Sequence, residues 1–267
     1  MNVAFIGAGK MAEAIIESLL RAQVLLPMDV MASDADATRP AALAKRLRIG
    51  IAESNRAAAE WADTLFLCVK PQQLDEVLSE LAETVTDRHL VLSIAAGKRL
   101  AGIEALIPQA RVIRVMPNVC CLAGEGMNVF TLGAKATDED RETAQALLGA
   151  CGVTHPLPES QFDAVTALSG SGPAFFARFL LHMVEAARAE GLSEDDASIL
   201  AAQTMYGTAL LLRNTDLTAE QLIKNVTSAK GTTAEGLAVL DNSDFSTVVR
   251  SMVAAAARRS RELSQPS

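Results

Sequence analysis

Val3-Ala4-Phe5-Ile6-Gly7-Ala8-Gly9-Lys10-Met11-Ala12 is the stretch from which the rest of the chain is read. An apolar run, β-branched or aromatic at alternate positions, passes straight into Gly-x-Gly-x-x-Ala. Met11, Ile15, Ile16, Leu19 and Leu20 then recur at helical spacing. Strand, tight glycine turn and helix start, in that order, are the setting of a dinucleotide-binding fingerprint. Gly7 permits the turn, Gly9 has no Cβ to hold a pyrophosphate off the backbone, and Ala12 lets helix and strand pack closely. The unpaired N–H groups of the helix start face the phosphates. Gly7, Ala8, Gly9, Lys10 and Met11 are therefore the first candidate cofactor residues.

The pattern continues outward. Met28 to Ala32 reads as a second strand, closing at Ser33-Asp34-Ala35-Asp36. Residues that close this strand in a Rossmann unit face the adenosine ribose. An acidic residue there argues for NAD(H) by taking the 2′-hydroxyl. Ser33 tolerates a 2′-phosphate, which Asp34 and Asp36 repel unless they are turned away. Arg39 lies near enough to compensate, so the residues alone leave the cofactor open.

Helix (38–47), short strand (49–52), helix (55–61) and strand (64–69) follow, the alternation of a parallel sheet. The last strand is apolar on both parities, as expected when both faces are buried. It ends at Val69-Lys70-Pro71, on the carboxyl edge where doubly wound sheets bind ligands. Lys70 reads either as a phosphate or ribose contact or as a solvated turn lysine. A helix (73–85) leads to a strand (89–94) and to Ala95-Ala96-Gly97, small residues that admit a ligand close to the backbone. A strand (111–115) closes on Met116-Pro117-Asn118. Strand 129–132, helix 138–149 and strand 153–156 complete this half.

Beyond Pro156-Leu157-Pro158 no convincing strand is found. Ser169-Gly170-Ser171-Gly172-Pro173 reads as a helix start, with Pro at a first-turn position. The helix that follows is apolar nearly all round and ends at Gly191 as a C′ residue. Helices near 194–212, 218–226 and 245–263 make an all-helical second domain. The expected fold is an N-terminal α/β, Rossmann-type doubly wound sheet (1–157) with a C-terminal all-helical dimerisation domain (158–267). So much apolar helix surface calls for a second copy to cover it.

Composition narrows the chemistry. The 267 residues are half hydrophobic, with ample core material for two moderate domains. A net charge of −8, without a basic block, argues against nucleic acid as a partner. Cys68, Cys120, Cys121 and Cys151 show no metal-ligand spacing, and the three histidines have no ligand-spaced neighbours, so no metal is expected. The N-terminus has no basic region ahead of an apolar one, and no uninterrupted apolar run approaches the ~20 residues that span a bilayer. A cytoplasmic, reducing setting without a membrane partner is expected.

No Ser-His-Asp set or close carboxylate pair is present, which fits an enzyme whose cofactor does the hard step. One loop offers an anchor for a small anionic substrate: Val226-Thr227-Ser228-Ala229-Lys230-Gly231-Thr232-Thr233. Hydroxyls and free N–H groups at the helix start suit a carboxylate. An ordinary N-cap by Thr232 is the plainer reading of the same residues.

Six motifs occur in order: Gly7-Ala8-Gly9-Lys10-Met11-Ala12, Val69-Lys70-Pro71, Ala95-Ala96-Gly97, Met116-Pro117-Asn118, Ala167-Leu168-Ser169-Gly170-Ser171-Gly172-Pro173-Ala174 and Ser228-x-x-Gly231-Thr232-Thr233-x-x-Gly236-Leu237. Together they resemble pyrroline-5-carboxylate reductase, over nearly the whole chain. The resemblance implies NAD(P)H-dependent reduction of 1-pyrroline-5-carboxylate to L-proline, the last step of proline biosynthesis. It implies cofactor contacts at the glycine loop, Ser33, Asn55, Val69, Lys70 and Ala96, with Asn225 reaching a neighbouring subunit's cofactor; Asp34, Pro71, Ala95 and Asn118 join them as candidates from their places at the strand ends. It places the substrate on Ser228, Gly231, Thr232 and Thr233, with Thr233 near the imine nitrogen as the catalytic residue and Asp216 against the ring. It also implies a homodimer, often stacked as a pentamer of dimers. Ser33 and the family favour NADP(H), with NAD(H) as the alternative. The family usually has Ser-Pro-Gly-Gly where this chain has Ser228-Ala229-Lys230-Gly231, which adds a cation beside the anion site.

A β-hydroxyacid dehydrogenase also joins a Rossmann domain to a helical one, but resembles a lysine-dependent chemistry. No Lys lies between Lys135 and Lys224 to serve it. Reduction of another cyclic imine, or a non-catalytic NADP(H)-sensing dimer, are the remaining alternatives.

Overall fold

The computed structural model describes residues 1–264. The chain divides into two compact units, Met1–Ser171 with the chain from Ala256 on, and Gly172–Ala255. Strands end after Pro156, where the sequence places the change of character. The compact division falls later, because the first helical turns after that point pack with the sheet.

The first unit is built on eight strands: β1 (Val3–Ile6), β2 (Val30–Ser33), β3 (Gly50–Ile51), β4 (Thr64–Leu67), β5 (Leu90–Ser93), β6 (Arg111–Met116), β7 (Gly126–Leu132) and β8 (Gly152–Pro156). Their order is β3-β2-β1-β4-β5-β6-β7-β8. β1 pairs in parallel with both β2 and β4. The chain thus leaves β1 for one side of the sheet and later returns on the other, the switch point at which doubly wound folds bind ligands. β2 is shorter at its start than the sequence pattern indicates, since Pro27–Asp29 forms a 3₁₀ turn.

Parallel order breaks once, at β7, which runs antiparallel to β6. The connection from Pro117 to Glu125 holds only a 3₁₀ turn, too little chain for the crossover a parallel neighbour needs.

Helices α1 (Lys10–Arg21), α2 (Thr38–Leu47), α3 (Asn55–Trp61), α4 (Leu74–Leu81), α5 (Leu100–Leu106) and α6 (Asp138–Gly149) sandwich the sheet. Strand residues of opposite parity enter two separate cores. Phe5, Phe66, Leu92 and Ile113 pack with Ile15 and Ile16 of α1, Leu43 of α2 and Leu147 of α6. Ile6, Leu65, Leu67 and Val112 pack with Ala58 of α3, Leu78 of α4 and Ile103 of α5. The Phe5 and Phe66 rings stack with centroids 4.8 Å apart across β1 and β4. α5 is absent from the sequence-based pattern. With seven residues and a glycine inside, Leu100-Ala-Gly-Ile-Glu-Ala-Leu shows too few turns for a helical period to emerge.

After β8, α7 (Phe162–Val165) passes into a π-helical turn, Thr166–Gly170, and α8 (Gly172–Ala189) follows. The Ser169–Pro173 motif is therefore not a fresh helix start. Ser171 N–H donates to the Thr166 carbonyl, at 2.8 Å, closing the wide turn. Glu159–Ala189 forms one helical run with a mean hydropathy of 1.2 over its most apolar window, so by length and composition it passes for a membrane span. Interruption by polar residues hides this run from a search for unbroken apolar sequence. Gly191 follows at φ +100°, the left-handed residue expected past the helix end.

The second unit contains α8, α9 (Glu194–Asn214), α10 (Ala219–Val226), α11 (Thr232–Asp241) and most of α12 (Phe245–Leu263). From Gly172 to Ala255 only Gly172, Val184 and Ala197 are buried. Phe176, Ile199, Val239 and Val248 are 59–75% exposed, although such side chains fill cores elsewhere. A helical unit without a core of its own must be covered to be stable. The end of α12 belongs to the first unit, where Ser260 Oγ donates to Asp163 Oδ1 at 2.6 Å.

Candidate active site

The sheet gathers the cofactor candidates on one edge. β1 ends at Gly7–Met11, β2 at Ser33 and Asp34, β4 at Val69–Pro71, β5 at Ala95 and Ala96, and β6 at Asn118. β1, β2, β4, β5 and β6 all run in parallel, so these segments share the carboxyl side. Asn55 starts α3 beside them. Asn225 lies apart in sequence, exposed on α10 of the helical unit.

Gly7 sits at φ +97°, and its N–H donates to the Ser33 carbonyl at 2.8 Å. A Cβ on Gly7 would lie 2.7 Å from the Cys68 carbonyl carbon, so only glycine fits. Gly9 is the opposite case, since a Cβ there would meet no protein atom within 4 Å. Open space over Gly9, at the N-terminus of the twelve-residue α1, fits a pyrophosphate. Burial pushes the Cys68 thiol up, away from nucleophilic chemistry.

Asp34 does not face outward. Its Oδ2 accepts the Ala8 N–H at 2.7 Å and its Oδ1 accepts the Asp36 N–H at 2.9 Å. The carboxylate therefore braces the glycine loop. Ser33 is buried and its hydroxyl donates to Asn55 Oδ1 at 2.8 Å, while Asn55 Nδ2 donates to Glu80 Oε2 at 2.8 Å. Lys70 and Ala96 are exposed, and Val69 and Pro71 are half-buried.

Asn118 serves the scaffold. Its Oδ1 accepts from Cys120 and Met127 N–H groups, each at 3.2 Å, and its Nδ2 donates to the Ser169 carbonyl at 3.2 Å. It thereby ties the end of β6 to the π turn. Ser169 Oγ and Ser93 Oγ are buried hydroxyls without a hydrogen-bond partner. Sequence reading gave Ser169 a place in the helix-start motif but no contact, and passed over Ser93; a hydroxyl's burial is set by tertiary packing and leaves no local signature.

In the helical unit, Ser228 to Thr233 forms the turn into α11. Gly231 is the N-cap and no side chain caps the helix. Thr232 is the first helical residue, so the plainer reading of it as an N-cap does not hold. Ser228 Oγ lies over Gly231, where a Cβ would collide with it, and Gly231 N–H donates to the Ser228 carbonyl at 3.0 Å. Lys230 stands at φ +60°, a left-handed conformation that suits the glycine usual in the family. Asp216 is exposed in the turn between α9 and α10. Among the described residues, no group of three or more His, Cys, Asp or Glu is placed to hold a metal.

Residues 159–263 match a family described as pyrroline-5-carboxylate reductase dimerisation. Curated pyrroline-5-carboxylate reductases from Methanosarcina acetivorans and Pseudomonas aeruginosa are each 38% identical to this chain, over 98% and 99% of it and 97% of their own lengths. The chain belongs to the pyrroline-5-carboxylate reductase family. Residues 2–97 of this reductase also match a family described as NADP oxidoreductase, coenzyme F420-dependent. The solved pyrroline-5-carboxylate reductase of Coxiella burnetii is 29% identical, superposes with a TM-score of 0.93 and covers 99% of both chains. That of Plasmodium falciparum, solved with NADP bound, is 26% identical with a TM-score of 0.86, covering 99% of this chain and 98% of its own. The reductase is thus a nicotinamide-dependent oxidoreductase with a Rossmann half and a helical half.

Proposed function

We propose that Ser228 to Thr233 hold and orient the imine in the reduction of 1-pyrroline-5-carboxylate to L-proline, which this reductase carries out with NADPH. What supports the placement is the start of α11: a glycine N-cap, no capping side chain, and hydroxyl residues grouped around free N–H groups. The positive end of the helix favours the substrate carboxylate there. Ser228 Oγ and the N–H groups of Thr232 and Thr233 receive it, and Asp216 borders the ring.

The bound nicotinamide supplies a hydride for the carbon of the C=N bond. Gly7, Ala8, Gly9, Lys10 and Met11 hold its pyrophosphate, and Val69, Lys70, Pro71, Ala95 and Ala96 line its path along the sheet edge. Ser33 and Asn55, joined through their side chains, border its adenosine end, and Asn118 fixes the backbone that follows β6. An iminium accepts hydride far better than a neutral imine, so protonation at nitrogen precedes or accompanies reduction. The Thr233 hydroxyl, a poor acid at neutral pH, orients that nitrogen rather than protonating it.

A homodimer is the working unit in this reading. The exposed Phe176, Ile199, Val239 and Val248 are its core once a second copy covers them. Asn225 then reaches the neighbouring subunit's cofactor.

Adding pyrroline-5-carboxylate to enzyme and NADPH tests the reading. Loss of the cofactor's near-ultraviolet absorbance with matching formation of L-proline is the expected result. Cofactor that binds but is not oxidised overturns it.

A further inference from the structure

Beside the start of α5 lies a cleft of about 380 Å³, lined by Arg99, Arg114, Glu159, Asp163 and Ser264, among others. All five belong to the first compact unit, and none is a cofactor or substrate candidate. Arg114 sits two residues after Val112 on β6, so it shares the face that α3, α4 and α5 cover. An arginine buried there needs partners. Its Nη1 donates to Glu159 Oε1 at 2.8 Å, its guanidinium carbon lies 4.6 Å from the Phe162 ring centroid, and its side chain is 5% exposed.

These groups are only partly paired. Arg114 Nε is buried without a hydrogen-bond partner, and so is Oγ of Ser93, its register partner on β5. Residues in register on one face of a sheet stand side by side, so an unmet donor adjoins an unmet hydroxyl. Arg99, exposed at the N-cap of α5, makes no side-chain hydrogen bond or ion pair among the described residues. On the acidic side, Glu159 Oε1 takes both Arg114 and the Leu100 N–H, the latter at 2.7 Å, which leaves Oε2. Asp163 Oδ1 takes the Ser260 hydroxyl at 2.6 Å, which leaves Oδ2.

We propose that this cleft binds the zwitterion of a small α-amino acid. Two arginines and two carboxylates line it, so a simple anion meets both carboxylates and a simple cation meets both guanidinium groups. An α-amino acid carries one charge of each sign on a single carbon and answers both. Its carboxylate takes the forked donors of Arg99 and Arg114, and its ammonium donates to Glu159 Oε2 and Asp163 Oδ2. The volume is in the range of small-molecule sites, which begin near ~300 Å³. A bound amino acid joins the start of α5 to β6 and, through Asp163 and Ser260, to the end of α12. The proposal does not depend on reading Ser228 to Thr233 as the substrate loop.

Equilibrium dialysis of the full-length protein against radiolabelled L-alanine at millimolar concentrations tests it. One saturable site per chain is expected. Propionate and ethylammonium, each with one of the two charges, should compete at least about tenfold more weakly than unlabelled alanine. Arg99→Ala and Asp163→Asn should each weaken alanine roughly tenfold, the effect of one charge-assisted contact. Arg99 is exposed, so its variant should keep the wild-type melting temperature and report on binding alone. Ser228→Ala, in the proposed substrate loop, should change alanine binding less than about twofold, since that loop lies outside the cleft. No saturable binding, propionate competing as well as alanine, or wild-type affinity in either cleft variant overturns the proposal. A loss in Ser228→Ala as large as in Arg99→Ala seats the amino acid in the substrate loop and overturns it too.

Discussion

Asp34 Oδ2 accepts the Ala8 N–H at 2.7 Å, linking the end of β2 to the glycine loop at the end of β1. A carboxylate that sequence alone sets against a 2′-phosphate is, in the fold, a brace for the glycine loop. Asp34→Ala removes a charged acceptor from a half-buried N–H, worth about 1.5–3 kcal/mol. KM for NADPH and for NADH should rise together, by roughly tenfold or more, with kcat nearly unchanged. A rise confined to NADH would mean that Asp34 reads the ribose after all.

Gly7 and Gly9 should fail in different ways. Gly7→Ala forces a side chain into the Cys68 backbone at positive φ, at a cost on the order of 3 kcal/mol, so thermal unfolding should shift down by several degrees. Gly9→Ala meets no protein atom and should keep the wild-type melting temperature while losing most cofactor affinity. Thermal melts with and without NADPH separate the two.

Lys230 is strained where the family usually carries glycine. Lys230→Gly relieves a left-handed side chain and should stabilise the folded loop by at most about 1 kcal/mol, net of the added freedom of the unfolded chain. If its charge also aids the substrate carboxylate, KM for pyrroline-5-carboxylate should rise a few-fold, and the rise should shrink in high salt. A KM independent of both the variant and salt would confine Lys230 to backbone geometry.

The helical unit should not persist alone. Ile199 is 68% exposed in the single chain, a position where aspartate would normally be harmless. If a second copy covers it, Ile199→Asp buries a charge and should shift sedimentation from dimer toward monomer and lower the melting temperature. Unchanged sedimentation would remove Ile199 from the interface.

Much of this was legible in the sequence, and the reasons it stopped are physical. The glycine turn and the strand ends are local patterns, so the residues that share the carboxyl edge of the sheet are legible in sequence alone. The direction of Asp34 depends on how two loops meet and has no local signature. α5 is too short for its period to show, and β7 runs antiparallel because of a connection length that sequence pattern does not rank. The π turn at Thr166–Gly170 keeps helical composition while shifting the hydrogen-bond register, so the Ser169–Pro173 motif reads as a start when the chain is already helical. At the loop before α11, sequence showed hydroxyls and a resemblance; the fold adds that none of them caps the helix.

In the proposed reaction Thr233 orients the imine nitrogen at the start of α11. That role is tested most directly by comparing kcat/KM for pyrroline-5-carboxylate in wild type and Thr233→Ala, at saturating NADPH. Loss of one hydrogen bond to a charged nitrogen, about 1.5–3 kcal/mol, predicts a ten- to hundredfold fall with cofactor affinity unchanged. Turnover equal to wild type would contradict it.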